Sequence, residues 1–278
     1  GMLLGHLAII VTKWKGAYLF APVMLFFRSS NAIFSYLGDL YKTRGFDIRM
    51  ILNDIIETNI FIGKTRHDDW GLWALNVYAN QRHLLWGFSI LLIIIMFFLP
   101  SLDVSFKGIR LSGYFKDKNY WLIQNKSTLV ISTLLIAILP YWHGSILLTL
   151  LCILFTMAFF ARERISYLVL GFTGAIASLF WSEVFSGGAS SVANPQFYWG
   201  FISDDKSIPG VFVYLFNVLG ISFILMFLIL LLRRGRTGKV LMIAFMAPLA
   251  FAMTVSLTPD VTVNHKYIIA SIALFNIF

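Results

Sequence analysis

The sequence predicts an all-α fold, a polytopic bundle of transmembrane helices, and three observations carry that expectation. Hydrophobic residues fill 59% of the 278 positions and charged residues only 13%, against roughly a quarter charged in an average soluble domain. The apolar residues fall in long uncharged runs, near the roughly 20 residues an α-helix needs to cross a bilayer core. The charges between the runs are sorted by side, as the positive-inside rule requires of a multi-pass chain. Other classes fall away on the same grounds. A net charge of +9 in so apolar a chain marks topology, and no nucleic-acid partner is expected. The single cysteine, Cys152, excludes an internally disulfide-built fold. A cleavable leader is not expected, because Lys13 and Lys15 follow the first apolar run where small residues would stand.

Taken in order, residues 1–12 are apolar but only about half a span long. The run 16–38 is a span interrupted by Arg28, an arginine whose head would snorkel to the interface. Residues 39–82 are too polar to cross and form a long extracytoplasmic loop. Within it, Phe46, Ile48, Ile51, Leu52, Ile55, Ile56 and Ile60 recur at helical spacing over 46–62, which predicts an amphipathic helix on the membrane surface. Trp70, Trp73 and Tyr78 would anchor the loop at headgroup level. Next comes an uncharged stretch of 19 residues over 84–102. The stretch 127–161 has 35 uncharged residues, about 50 Å as one helix and too long for a bilayer. Pro140, His143 and Gly144 at its centre predict a hairpin turning over 141–144. Spans 165–182, 207–232 and 240–259 follow. Between the first two lies a second extracytoplasmic loop, 185–209, rich in Gly, Pro and Ser and read as irregular. Residues 267–278 form another half-span. The expected total is about eight to nine spans in one transmembrane domain over 1–278, and the two apolar half-spans lead us to expect a piece of a longer chain.

Alternation fixes direction. With 13–15, 103–126, 162–164 and 233–239 in the cytoplasm, those segments hold 13 Lys or Arg against three acids, and the rest of the chain nine against ten. The whole basic excess then lies on one side.

Three short sequences on the opposite face stand out: Asn80-Gln81-Arg82-His83, Tyr141-Trp142-His143-Gly144, and Thr258-Pro259-Asp260-Val261-Thr262-Val263-Asn264-His265-Lys266. Each directly precedes a helix running inward, so free backbone N–H groups and the positive dipole end favour an anion there. Arg82 and Lys266 add full charge, and a phosphate at the headgroup boundary suits the set. Plainer readings exist for each residue alone. Arg82 and Lys266 could snorkel to lipid phosphates, His143 could be a satisfied turn histidine, and Asp260 could be only a helix cap. Asp260, His143, His83 and His265 could instead hold a divalent metal, although no H-x-x-x-H spacing supports it. Asn217, deep in a span, reads as helix glue. A Walker-type phosphate loop and a G-x-S-x-G elbow are both absent from the sequence.

The order of these motifs resembles a group of polytopic bacterial membrane proteins related to GT-C glycosyltransferases. The resemblance rests on residues 75–84, on Leu139-Pro140-Tyr141-Trp142-His143-Gly144, similar to that group's Pro-x-x-His-Gly-His turn, and on residues 257–267. Ser145 stands where the group has its second histidine. The resemblance implies a GT-C-like bundle in the plasma membrane and an enzyme taking a sugar from a polyprenyl-phosphate carrier on the extracytoplasmic side. It implies a lipid-linked sugar donor and membrane lipids as partners, with Arg82, His83, His143, Lys266, Asn80 and Gln81 at the phosphate. Asp260 and His265 would take catalytic roles, Asp260 orienting His265. The principal carboxylate is expected upstream of Gly1, with Asp39, Asp68 and Asp69 as substitutes. A lipid-linked-substrate transporter or flippase, or a non-catalytic assembly subunit, are the alternatives.

Overall fold

The computed structural model describes residues 1–26, 31–45, 47–57, 81–102, 115–186, 195–233 and 235–278. Arg28, Phe46, Ile60, Asp68, Asp69, Trp70, Trp73, Tyr78 and Asn80 lie outside the described residues. The described residues form an all-α fold apart from one pair of two-residue strands. Its helices are α1 (Met2–Thr12), α2 (Ala17–Phe26), α3 (Ala32–Arg44), α4 (Ile48–Glu57), α5 (Arg82–Phe98) and α6 (Lys126–Phe160). They continue as α7 (Arg164–Ser186), α8 (Ile208–Leu219), α9 (Ile221–Leu232), α10 (Arg236–Thr254) and α11 (His265–Phe275).

The core forms where α1, α5, α6, α10 and α11 meet. On α5, Leu84, Phe88, Leu91, Ile95 and Phe98 are buried, a row at helical spacing facing α6. Pro100 brings no backbone N–H to continue the helical ladder, and Leu99–Leu102 tightens into a 3₁₀ turn. The outer helix α7 keeps Leu168, Phe172, Ile176 and Leu179 exposed, a stripe suited to lipid and ill suited to water.

The expected hairpin is present within α6. His143 has φ −165° and ψ 104°, extended backbone in the middle of the helical run. The two ends of the run meet: the backbone N–H groups of Gln124 and Asn125 donate to Glu163 Oε2 at 3.0 and 3.4 Å. A straight helix of 35 residues would hold them about 50 Å apart. Gly174 on α7 confirms the folding back, because a Cβ there would touch Ile136 from the first arm and Leu147 and Leu151 from the second.

One expected span is broken instead, and another is described only in part. Of residues 16–38, 17–26 form α2, which contains Pro22, and 32–38 belong to α3, which continues through Asp39 to Arg44. The long loop therefore starts later than 39. Residues 207–232 divide at Gly220, whose φ of +58° favours glycine, and α8 and α9 meet there at 106°. Asn31 caps the break, its N–H donating to Asn217 O at 2.9 Å and its Nδ2 to Phe216 O at 3.1 Å. Asn217 takes part through its carbonyl while its side chain is exposed, so the expectation of side-chain glue gives way to a backbone contact.

Among the described residues four helices are long and apolar enough to cross a membrane, or five if the bent α8–α9 pair is one span. That is fewer than the expected eight to nine: as described, α1, α2 and α11 have 11, 10 and 11 residues, and α6, folded on itself, counts once. Of the helix expected over 46–62, residues 48–57 form α4, which buries none of its residues and is tied to α3 by an Arg44–Asp54 ion pair of 2.6 Å. The loop 185–209 is not wholly irregular: β1 (Gln196–Phe197) pairs antiparallel with β2 (Val255–Ser256) at the end of α10.

Candidate functional site

Contacts at the two ends of the helices differ in kind. At one end, Ser101 Oγ meets Tyr167 Oη at 2.6 Å, and the Arg164 guanidinium lies over the rings of Phe115, Tyr120 and Trp121. The candidate site is at the other end, where α5 and α11 begin and the α6 hairpin turns.

Pro140 lacks a backbone donor and sits one turn before the bend. The extended backbone at His143 then turns its ring inward, leaving it 6% exposed. Gly87 makes room, since a Cβ there would lie 3.3 Å from His143 Cβ. His83 is one helical turn earlier on the same face of α5. Its ring stacks on His143 with centroids 5.3 Å apart and planes 19° apart. Beside this pair, Trp86 stacks on Trp142 at 5.9 Å, and Tyr141 joins Trp142 to Trp181 of α7.

The third strip is set by Asn264, 2% exposed. Its amide donates to Tyr198 Oη and Val255 O, each at 2.6 Å, and to Ala252 O at 3.2 Å. This clamps the start of α11 to the ends of β1 and α10, and His265 and Lys266 follow directly. His265 Nδ1 donates to Thr262 O at 2.7 Å. Tyr267 of α11 lies near Ser145 of the hairpin turn. Asp260 caps the 3₁₀ turn Val261–Asn264, its carboxylate accepting from Thr262 N at 2.9 Å and Thr262 Oγ1 at 2.7 Å.

Four of the sequence-predicted residues thus come together from three separated segments: Lys266, His83 and His265 all act electrostatically on His143. Lys266 is half-buried and has no ion pair among the described residues. Neither ring nitrogen of His143 has a hydrogen-bond partner there, and the same holds for the buried Gln81 Oε1. Arg82 starts α5 but is exposed, with no hydrogen bond or ion pair to another described residue. Asp260 is exposed as well. No group of three His, Cys, Asp or Glu placed to hold a metal ion occurs among the described residues.

Several residues that shape the site carry no signal of their own in the sequence. Gly87 is one glycine in an apolar run, and its use becomes visible only when His143 arrives opposite. Tyr198 sits in a loop far along the chain, and only the β1–β2 pairing brings it to Asn264. The arrangement gathers three imidazoles and a lysine at the ends of helices, with the ring nitrogens of His143 lacking hydrogen-bond partners among the described residues. A ligand rich in oxygen acceptors and negative charge fits it. No protein-family model, no curated protein and no solved structure matches the chain.

Proposed function

We propose that the chain belongs to a membrane glycosyltransferase that moves a sugar from a polyprenyl-phosphate carrier to an acceptor on the extracytoplasmic face. The observation that supports this reading most is the meeting of His83, His265 and Lys266 around His143. As the glycosidic bond to phosphate breaks, negative charge grows on the phosphate oxygens. A cation fixed nearby then stabilises the transition state more than the ground state. Lys266 is the residue for this, and Arg82 adds charge at the mouth. The motif order that resembles GT-C enzymes supplies the sugar; the geometry alone supports a phosphate-bearing lipid.

Transfer from lipid-linked sugar donors to added acceptors tests the reading. Charge-assisted contacts contribute about 1.5–3 kcal/mol each, so Lys266→Ala is expected to lower the rate about tenfold to a hundredfold, with Lys266→Arg milder. Full activity in an Arg82→Ala, Lys266→Ala double variant would leave both as membrane anchors. The 106° break at Gly220 favours a second reading, a lipid-linked-substrate transporter, since broken spans line many transport paths. Movement of a lipid-linked sugar across proteoliposomes without any transfer would select that one.

A further inference from the structure

The strongest unexplained feature is His143 itself. It is 6% exposed, yet both ring nitrogens lack a hydrogen-bond partner among the described residues. A neutral imidazole presents one N–H donor and one lone pair. The groups that act on it are His83 from α5 and His265 and Lys266 from α11; α7 and α10 contribute none among the described residues. Among the described residues no carboxylate is paired with it, and a buried cation without a counter-charge is costly. Without a counter-ion the ring is therefore neutral.

A phosphodiester changes that balance. Its oxygens are acceptors only, so it satisfies the N–H of His143 and leaves the lone pair buried. If the ring takes a proton, the second nitrogen also becomes a donor. The phosphate oxygens are the acceptors for those donors, and Gln81 Oε1 at the start of α5 is a further buried acceptor without a partner among the described residues. Burial is the larger obstacle to a second cation and Lys266 the next; the negative charge of the ligand acts on both, as a counter-charge for the buried ring and as a partner for Lys266. We propose that this site binds its phosphate together with one proton, and that His143 is the residue that takes it up. This rests on the reading of the cluster as a phosphate site and adds its proton balance: site plus phosphodiester anion plus one proton from solvent gives the complex.

Calorimetry on the full chain in detergent tests it, with a short-chain prenyl methyl phosphodiester as probe. That probe has a single fixed negative charge and no titratable proton in the neutral range. Titrations in buffers of different ionisation enthalpy count the protons taken up. The wild type is expected to take up close to one per probe near neutral pH. Its affinity should fall as pH rises, approaching about tenfold per pH unit for a one-proton linkage. His143→Gln should still bind, more weakly, with uptake near zero and a flat pH profile. His83→Gln and His265→Gln should keep the uptake. Wild-type binding without proton uptake overturns the inference while leaving the phosphate site standing, and this needs no variant to fold. Uptake that persists in His143→Gln, or that vanishes in His83→Gln or His265→Gln, places the proton on another ring and overturns it too. If the wild type does not bind the probe, the phosphate site falls and the inference with it.

Discussion

A methyl group at position 87 would sit 3.3 Å from His143 Cβ and 3.5 Å from Ile146 Cβ, so a branched side chain there would push α5 off the hairpin turn. Gly87→Val is expected to cost about 1–3 kcal/mol through overpacking and to weaken phosphodiester binding by separating His83 from His143. Thermal unfolding in detergent and calorimetry check the two effects. Asn264 works differently, because its amide satisfies Tyr198 and two backbone carbonyls at once. Asn264→Leu leaves those acceptors without their donor at a buried position, a loss of about 1–3 kcal/mol that thermal unfolding should show. His83, His143, His265 and Lys266 were legible in the sequence because a polar residue beside an apolar run has few structural reasons to be there. The parts played by Gly87 and Asn264 were not legible, since each depends on what a distant segment brings opposite. Asp260 was singled out for chemistry, and what the structure assigns it is the cap on Thr262.

Among the elements, α6 shows what a sequence can specify about a turn. Pro140 removes a backbone donor and Gly144 tolerates the return, so the bend was readable from composition at one point in the chain. The base of the hairpin was not. It depends on Glu163, held at φ +61°, whose carboxylate accepts from Gln124 N, Asn125 N and Ser166 Oγ. Glu163→Ala should lower the stability of the hairpin by about 1–3 kcal/mol, again by thermal unfolding. A direct check of the folding-back uses Gln124→Cys with Glu163→Cys in a Cys152→Ala background. A short bifunctional thiol reagent should join the pair within one chain, whereas a straight helix would place them roughly 50 Å apart. The break between α8 and α9 was invisible in the sequence for a physical reason. Hydropathy sums side chains and stays high through Gly220, while the kink resides in a backbone angle that hydropathy does not sense.

At the scale of the whole molecule, segments that the charge distribution assigns to one side do meet one another. Arg233 Nη2 donates to Val11 O at 2.6 Å, joining the basic turn after α9 to the end of α1 just before Lys13. Arg162 N donates to Ser101 O at 2.9 Å, and Glu163 meets Gln124 and Asn125. At the opposite ends of these helices, His83 meets His143, Tyr141 meets Trp181, and Tyr198 N donates to Thr254 O at 3.0 Å. Two end surfaces result, one with Arg162, Arg164 and Arg233, the other with His83, His143, Trp86, Trp142 and Trp181. The positive-inside rule then predicts which surface faces the cytoplasm, because lysines and arginines in short loops are retained there during insertion. Single cysteines at Ser145 and Thr237, each in a Cys152→Ala background, separate the two orientations in sealed cells. Ser145→Cys should react with a membrane-impermeant thiol reagent from outside. Thr237→Cys should react only after the membrane is opened. The reverse pattern would put the imidazoles on the cytoplasmic face, where a donor presented from outside could not reach them.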